Sequence, residues 1–365
     1  MNEVVRLNYC ASWTSDRAKT WSGTTWSLEQ ALKKSFRVNE VDLAGRTLAD
    51  RAFRKVRRAI GEDDFDLGIM RRQQIRFERE AHPQADVWFQ FSEVPMPVKG
   101  ERHYVYQDLA VEWLARCMTD DPGTFVHTGF ADVSHKAMRR RAQVQREFYE
   151  KASGVFTMGK WMADFLVNDA GLPAEKVHHV GGGLNTCASP DFSARDGRTF
   201  IFAGRDFRRK GGDLVLAAFN ILHSRDKDLR LLIAGPKSDY ASGHEGVEFV
   251  GDLANDALGA LFAQSDCFVM PSRFEAYGLV FPEALACALP CVGRKAFEMQ
   301  HFIKDGATGR LVGSDDPEEL AEAMLDCLTN STIKQNVIEG APDIAKQYCW
   351  DAVADRIYSV VVQGA

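Results

Sequence analysis

The chain has 365 residues, 45% apolar and 26% charged, a balance that excludes a disordered, collagen-like or coiled-coil protein. That length is more than one hydrophobic core usually organises, so two domains are expected. Lys plus Arg number 45 against 51 Asp plus Glu, a formal charge of -6, which speaks against a general nucleic-acid binder. The charge is uneven: residues 1–180 sum to +2 and residues 181–365 to -8, placing a boundary near the middle.

In chain order, Val4–Cys10 reads as a strand and Leu28–Phe36 as a helix. Phe65–Met70, Val87–Phe91, Tyr104–Tyr106, Phe125–Val126 and Val155–Met158 are further strand candidates, with helix-competent polar segments between most of them. The second half repeats the plan. Strands are expected at Thr199–Ala203, Arg230–Ala234, Val247–Val250, Asp266–Met270 and Pro290–Val292, and helices at Asp213–Leu222, Ala257–Ala263, Leu279–Ala288 and Glu318–Leu328. The segment from Trp350 to Val362 is a last amphipathic helix. Such alternation predicts an α/β chain of two tandem doubly wound domains. Between them, Gly181-Gly182-Gly183 suits either an interdomain hinge or a surface loop.

No run reaches the ~18–20 apolar residues of a membrane span. The start, Met-Asn-Glu-Val-Val-Arg, has no basic-then-apolar leader. Eight scattered cysteines without a Cys-x-x-Cys pair read as reduced core thiols, so a cytoplasmic chain is expected. Two basic stretches, Arg51 to Arg79 and Lys136 to Arg146, read either as solvated helix faces or as patches for acceptor phosphates or an anionic membrane's inner face.

Four segments carry the candidate chemistry. The first is Pro271-Ser-Arg-Phe-Glu275-Ala-Tyr-Gly278-Leu279-Val-Phe-Pro282-Glu283, read as strand end, loop and helix start. Its free first-turn amides suit a diphosphate, and carboxylates on either side can accept hydrogen bonds from vicinal hydroxyls. The second, Gly204-Arg205-Asp-Phe-Arg-Arg-Lys210-Gly211, follows an expected strand with two cations fit to neutralise a diphosphate. The third is His127 in Thr124-Phe-Val-His127-Thr128, which by itself reads more often as a satisfied core histidine than as a catalytic one. The fourth, Trp21-Ser22-Gly23-Thr24, either lets a ligand approach a helix start or merely caps it through Ser22 or Thr24. Asp64-Phe65-Asp66 matches an Asp-x-Asp metal string, but its setting reads as a polar turn before a strand, and no metal is expected.

The second half resembles the donor domain of glycosyltransferase family 4, the retaining enzymes built of two facing Rossmann-like domains (the GT-B fold). The matching residues are Gly204-Arg205 with Lys210-Gly211, Leu231–Gly235, Val250-Gly251-Asp252-Leu253, Pro271-Ser272, Glu275 through Glu283, and Gly306-Ala-Thr-Gly309. Asn185 departs from the family's Gly-Val-Asp turn. The first half is similar more loosely, through Phe125-Val126-His127-Thr128, Trp21–Thr24 and the Tyr348-Cys-Trp350 tail.

The resemblance implies an acceptor domain over 1–181, a donor domain over 182–347, and a C-terminal helix over 348–365 that returns to the first domain. It implies that Arg205 and Lys210 hold the diphosphate of a UDP- or GDP-sugar, that Gly23, Gly278 and Leu279 contact the donor, and that Glu283 binds the ribose. Glu275 and His127 would act at the sugar. The implied reaction is metal-independent, uses no cofactor beyond the nucleotide sugar, retains the anomeric configuration and builds a cell-surface polysaccharide or glycolipid. A nucleotide-sugar epimerase or hydrolase on this fold, and a non-catalytic nucleotide-sugar binder, stand as the competing readings.

Overall fold

The structure is a computed structural model describing residues 4–43, 52, 56, 65–186 and 189–363. The described residues through Gly183, joined by those from Trp350 onward, form one compact unit; Leu184–Cys349 forms the other.

The first unit is a parallel sheet of β1 (Arg6–Ala11), β2 (Arg37–Asp42), β3 (Val87–Gln90), β4 (His103–Gln107), β5 (Gly154–Thr157) and β6 (Val177–His179), in the order β2-β1-β3-β4-β5-β6. Its central strands β3, β4 and β5 are buried along their whole length, as expected of a parallel sheet covered on both faces. The second unit holds β7 (Thr199–Ala203), β8 (Arg230–Ala234), β9 (Val247–Gly251), β10 (Cys267–Met270), β11 (Cys291–Arg294) and β12 (Gly309–Val312), ordered β12-β11-β10-β7-β8-β9 and also all parallel. The chain winds outward from β7 through β9, then returns to start again at β10. The carboxyl ends of β7 and β10 therefore flank a topological switch point, where open α/β sheets bind ligands. In the first unit the switch point lies between β1 and β3.

Two expected strands are helical. Phe65–Met70 is a turn followed by helix Leu67–Arg79, in which Ile69 is the buried residue. The short apolar run carried no period that separates strand from helix. Phe125 ends the short helix Pro122–Phe125, nucleated by the Asp121 carboxylate accepting the Thr124 N–H at 3.0 Å, with Pro122 in the first turn. The first expected helix is displaced to Thr24–Leu32.

The basic segment from Lys136 lies on helix His135–Lys151, where Arg139 and Arg140 are exposed. Arg141 turns inward onto Glu93, which also accepts from Gln107 at 3.0 Å and Gln145 at 2.7 Å. Burial pushes the Glu93 carboxyl up, but Arg141 and the two amides outweigh it and hold it below the usual carboxylate range. Arg146 is spent on Glu112, Glu150 and the Ala170 carbonyl. Arg51, Arg54, Lys55, Arg57 and Arg58 of the other basic stretch, along with Asp64, lie outside the described residues. The described cysteines are free thiols, all buried except the half-buried Cys349. Among the described residues, no helix is long and apolar enough to cross a membrane.

The terminal helix Trp350–Gln363 buries Trp350, Val353, Ala354, Ile357 and Val361 along one stripe and packs against Thr24–Leu32. Lys34 pairs with Asp351 at 2.6 Å, and Arg356 donates to the Val180 carbonyl at 2.6 Å. The Trp350 indole fills the space a side chain would need at Gly183, where an added Cβ would fall 2.3 Å from the ring. Gly183→Val is therefore expected to displace the indole and to lower stability by about 1–3 kcal/mol. Thermal melts of wild type and variant check this; equal melting temperatures would count against the packing described.

Candidate functional site

Two loops meet at the β7/β10 switch point of the second unit. The loop after β7 runs from Gly204 to Gly211 into helix Gly212–Arg225; the loop after β10 runs from Pro271 to Leu279 into helix Val280–Ala286. Their backbones are tied directly: Arg273 N–H donates to the Arg209 carbonyl at 2.9 Å. The Arg209 guanidinium returns a bond to the Phe274 carbonyl at 2.9 Å, and Ser272 Oγ donates to the same carbonyl at 2.8 Å. Arg273 clamps the outside, bonding Asp213 at 2.8 Å and Asp315 at 2.7 Å.

At the centre of these ties, Lys210 Nζ donates to Glu275 Oε2. Both side chains are largely buried, and Arg209 Nη1 lies 4.0 Å from the same carboxylate oxygen. Burial pulls the Lys210 ammonium below its ordinary range; the Glu275 charge pulls it back only in part, and Arg209 adds to the depression. Gly278 sits beside the pair with φ +90°, and a Cβ there would lie 3.0 Å from Glu275 Cγ. The left-handed turn lets the backbone run close over the carboxylate and into the next helix.

Glu283 is one turn into that helix and buried. Its Oε1 accepts the Asn185 N–H at 3.0 Å, and the Thr186 amide also contributes. Burial dominates over these two amides and pushes its carboxyl up to about 7. The donor at Asn185 is its main chain, so the departure from the family's Gly-Val-Asp turn leaves this bond intact.

The sequence candidates thus separate. Lys210, Glu275 and Gly278 are brought together, with Leu279 following directly and Glu283 one turn farther on. Arg205 is not part of this cluster: its side chain is 72% exposed and donates to Asp252 at 3.2 Å. Arg209 occupies the place beside Glu275. Sequence reasoning missed it, because nothing in the run Arg208-Arg209-Lys210 tells which cation turns inward. His127 belongs to the first unit, in a turn after Pro122–Phe125 and not at a strand end; its N–H bonds the Thr124 carbonyl at 3.0 Å. Gly23 is the N-cap of helix Thr24–Leu32 with φ +91°.

Comparison with known proteins agrees with this geometry. Residues 197–330, which contain both loops, match the family described as glycosyl transferases group 1. Sucrose-phosphate synthase from Thermosynechococcus elongatus superposes with a TM-score of 0.68 at 16% identity, covering 98% of each chain. The fold is GT-B. Anabaena HepE, solved in complex with UDP and glucose, gives a TM-score of 0.61 at 13% identity over 98% of this chain and 99% of that one. Among curated proteins, the phosphatidyl-myo-inositol mannosyltransferase of Mycobacterium leprae is 26% identical over 234 residues, 60% of this chain and 61% of that protein. The match thus spans about three fifths of that relative's length.

The elevated Glu283 carboxyl has a consequence for stability. The folded chain keeps this proton up to about pH 7, whereas an ordinary glutamate releases it near 4.5. Between those values the folded state binds more protons than the unfolded one, so stability falls as pH rises through that window and levels off above it. The contribution is roughly 3 kcal/mol at most. Glu283→Gln, which mimics the protonated form, is expected to flatten the change in melting temperature between pH 5 and 7.5. An unchanged slope in the variant would show that another group governs it.

Proposed function

We propose that this chain is a retaining glycosyltransferase that moves a hexosyl group from a UDP- or GDP-sugar to a hydroxyl of a glycan or lipid-linked acceptor, in cell-surface polysaccharide or glycolipid synthesis. The observation that carries this reading is the Lys210–Glu275 pair, buried beside Arg209 at the switch point of a GT-B donor unit. The inositol-lipid mannosyltransferase relative and the UDP-bound structural neighbour support the substrate class.

In this reading Lys210, with Arg209 and Arg205, takes up the charge of the diphosphate, and the Gly278–Leu279 amides meet a phosphate or sugar oxygen. Glu275 orients the sugar through its hydroxyls, and Glu283 accepts from the ribose hydroxyls. By resemblance to the family, His127 is assigned to the sugar and Gly23 to the donor. The bond between the anomeric carbon and the diphosphate oxygen breaks with its electron pair leaving on the diphosphate. The acceptor oxygen bonds that carbon from the same face, and its proton passes to the departing diphosphate. The cations take the place a metal would fill, so the reaction is metal-independent.

Removing either member of a buried ion pair alone leaves an uncompensated charge and costs about 3–5 kcal/mol, which confuses loss of folding with loss of function. The double variant Lys210→Met/Glu275→Gln removes both charges together. It is expected to remain folded, to lose the thermal stabilisation that UDP or GDP gives the wild type (about 2.7 kcal/mol at a hundredfold excess over Kd), and to lose transfer by a hundredfold or more. Wild-type stabilisation and turnover in a folded double variant would overturn the site. Release of free or epimerised sugar without need of an acceptor would favour the hydrolase or epimerase instead.

A further inference from the structure

Three neighbouring strands of the second unit run out onto glycine: Gly204 follows β7, Gly235 follows β8 and Gly251 ends β9. The Gly204 N–H donates to the Ala234 carbonyl at 2.9 Å and the Gly235 N–H to the Gly251 carbonyl at 2.7 Å, which ties the three ends into one strip of backbone. Gly235 (φ +103°) has no room for a side chain, since an added Cβ would fall 2.8 Å from the Gly204 carbonyl carbon. Gly251 (φ +74°) does have room: outside the adjacent residues, an added Cβ would meet nothing nearer than Phe249 Cε1 at 3.9 Å. The strip is half-buried and carries no side chain of its own, a floor on which a flat ring can lie against backbone.

The strip has the length of a nucleoside. β9 stands two strands from β7, about 10 Å at the spacing of a sheet. The loop after β10 already occupies the other flank of β7. A nucleotide with its diphosphate on Lys210 therefore has the strip as the open floor for its base, and the edge of that base reaches the end of β9.

Asp252 stands at that point. Its Oδ1 accepts from Arg205 Nε at 3.2 Å, with the two side chains 50% and 72% exposed. An exposed pair of this kind holds weakly. A diphosphate offers Arg205 a stronger, charge-assisted partner, and once Arg205 turns to it both Asp252 oxygens are free to accept. A carboxylate is matched by two adjacent donors. Guanine presents such a pair in N1–H and its 2-amino group. Uracil presents N3–H between two carbonyl oxygens, so one bond forms while both oxygens repel the carboxylate. We infer that Asp252 reads the base and that the donor is a guanosine diphosphate sugar, not a uridine one. The inference rests on the transferase reading and deepens it by naming the nucleotide.

Isothermal titration calorimetry with GDP, UDP and inosine diphosphate tests the assignment, because inosine diphosphate keeps N1–H and lacks the 2-amino group. GDP is expected to bind the wild-type chain about tenfold tighter than either of the others, or more. In Asp252→Ala, checked for folding by circular dichroism, the gap between GDP and inosine diphosphate should close, while UDP binds at least as well as before. The inference is overturned, with the transferase reading left standing, if UDP binds as tightly as GDP or if the wild type does not separate GDP from inosine diphosphate. An unchanged gap in the folded variant has the same consequence. No binding of any of the three would overturn both.

Discussion

A lysine ammonium and a glutamate carboxylate, 65 residues apart in sequence, meet in a nearly dry space between two strand ends, and the second unit is arranged around the need to keep them together. Neither ion could be left there alone, because an unpaired buried charge is far costlier than a paired one. The surrounding bonds therefore fix both loops: Arg209 and Ser272 hold the carbonyl that precedes Glu275, and Arg273 locks the second loop to the first through its main chain and to Asp213 and Asp315 through its side chain. A site made this way is positioned before any ligand arrives, which is what electrostatic stabilisation of a departing diphosphate requires.

The same economy of long-range ties links this site to the segment that opens the second unit. Glu283 takes the amides of Asn185 and Thr186, just after the triple glycine, so a carboxylate assigned to ribose recognition also anchors the start of the unit. In the first unit, the single charge of Glu93 is shared among Arg141, Gln107 and Gln145, which turns part of an apparently basic surface into an internal brace. Whole-domain charge consequently says little about binding here. The second unit is the acidic half of the sequence, yet its switch point is cationic.

What could be read in advance follows from locality. Strands β3, β4, β5, β7, β8 and β10 were legible because interior parallel strands are continuous apolar runs bounded by turn residues. Edge strands β2, β6 and β12 were not: Arg37–Asp42 is mostly polar, Val177–His179 has three residues, and Gly309–Val312 includes an arginine. Phe125 misled because an aspartate-proline cap made helix from residues that look like strand. Glu275 and Glu283 were marked by their spacing within one strand–loop–helix unit, and Lys210 by its place in a basic loop at the end of another strand. The inward turn of Arg209 and the outward pairing of Arg205 with Asp252 are set by residues 40 to 70 positions away, which no local pattern encodes.

The central claim, that the β7/β10 switch point receives the diphosphate of a nucleotide sugar, is tested most directly by amide hydrogen exchange with and without UDP and GDP. The account predicts that one nucleotide slows exchange in residues 204–212 and 275–286, with the segment around Asn185 following through Glu283. Protection confined to other regions, or no protection from either nucleotide at saturating concentration, would contradict it.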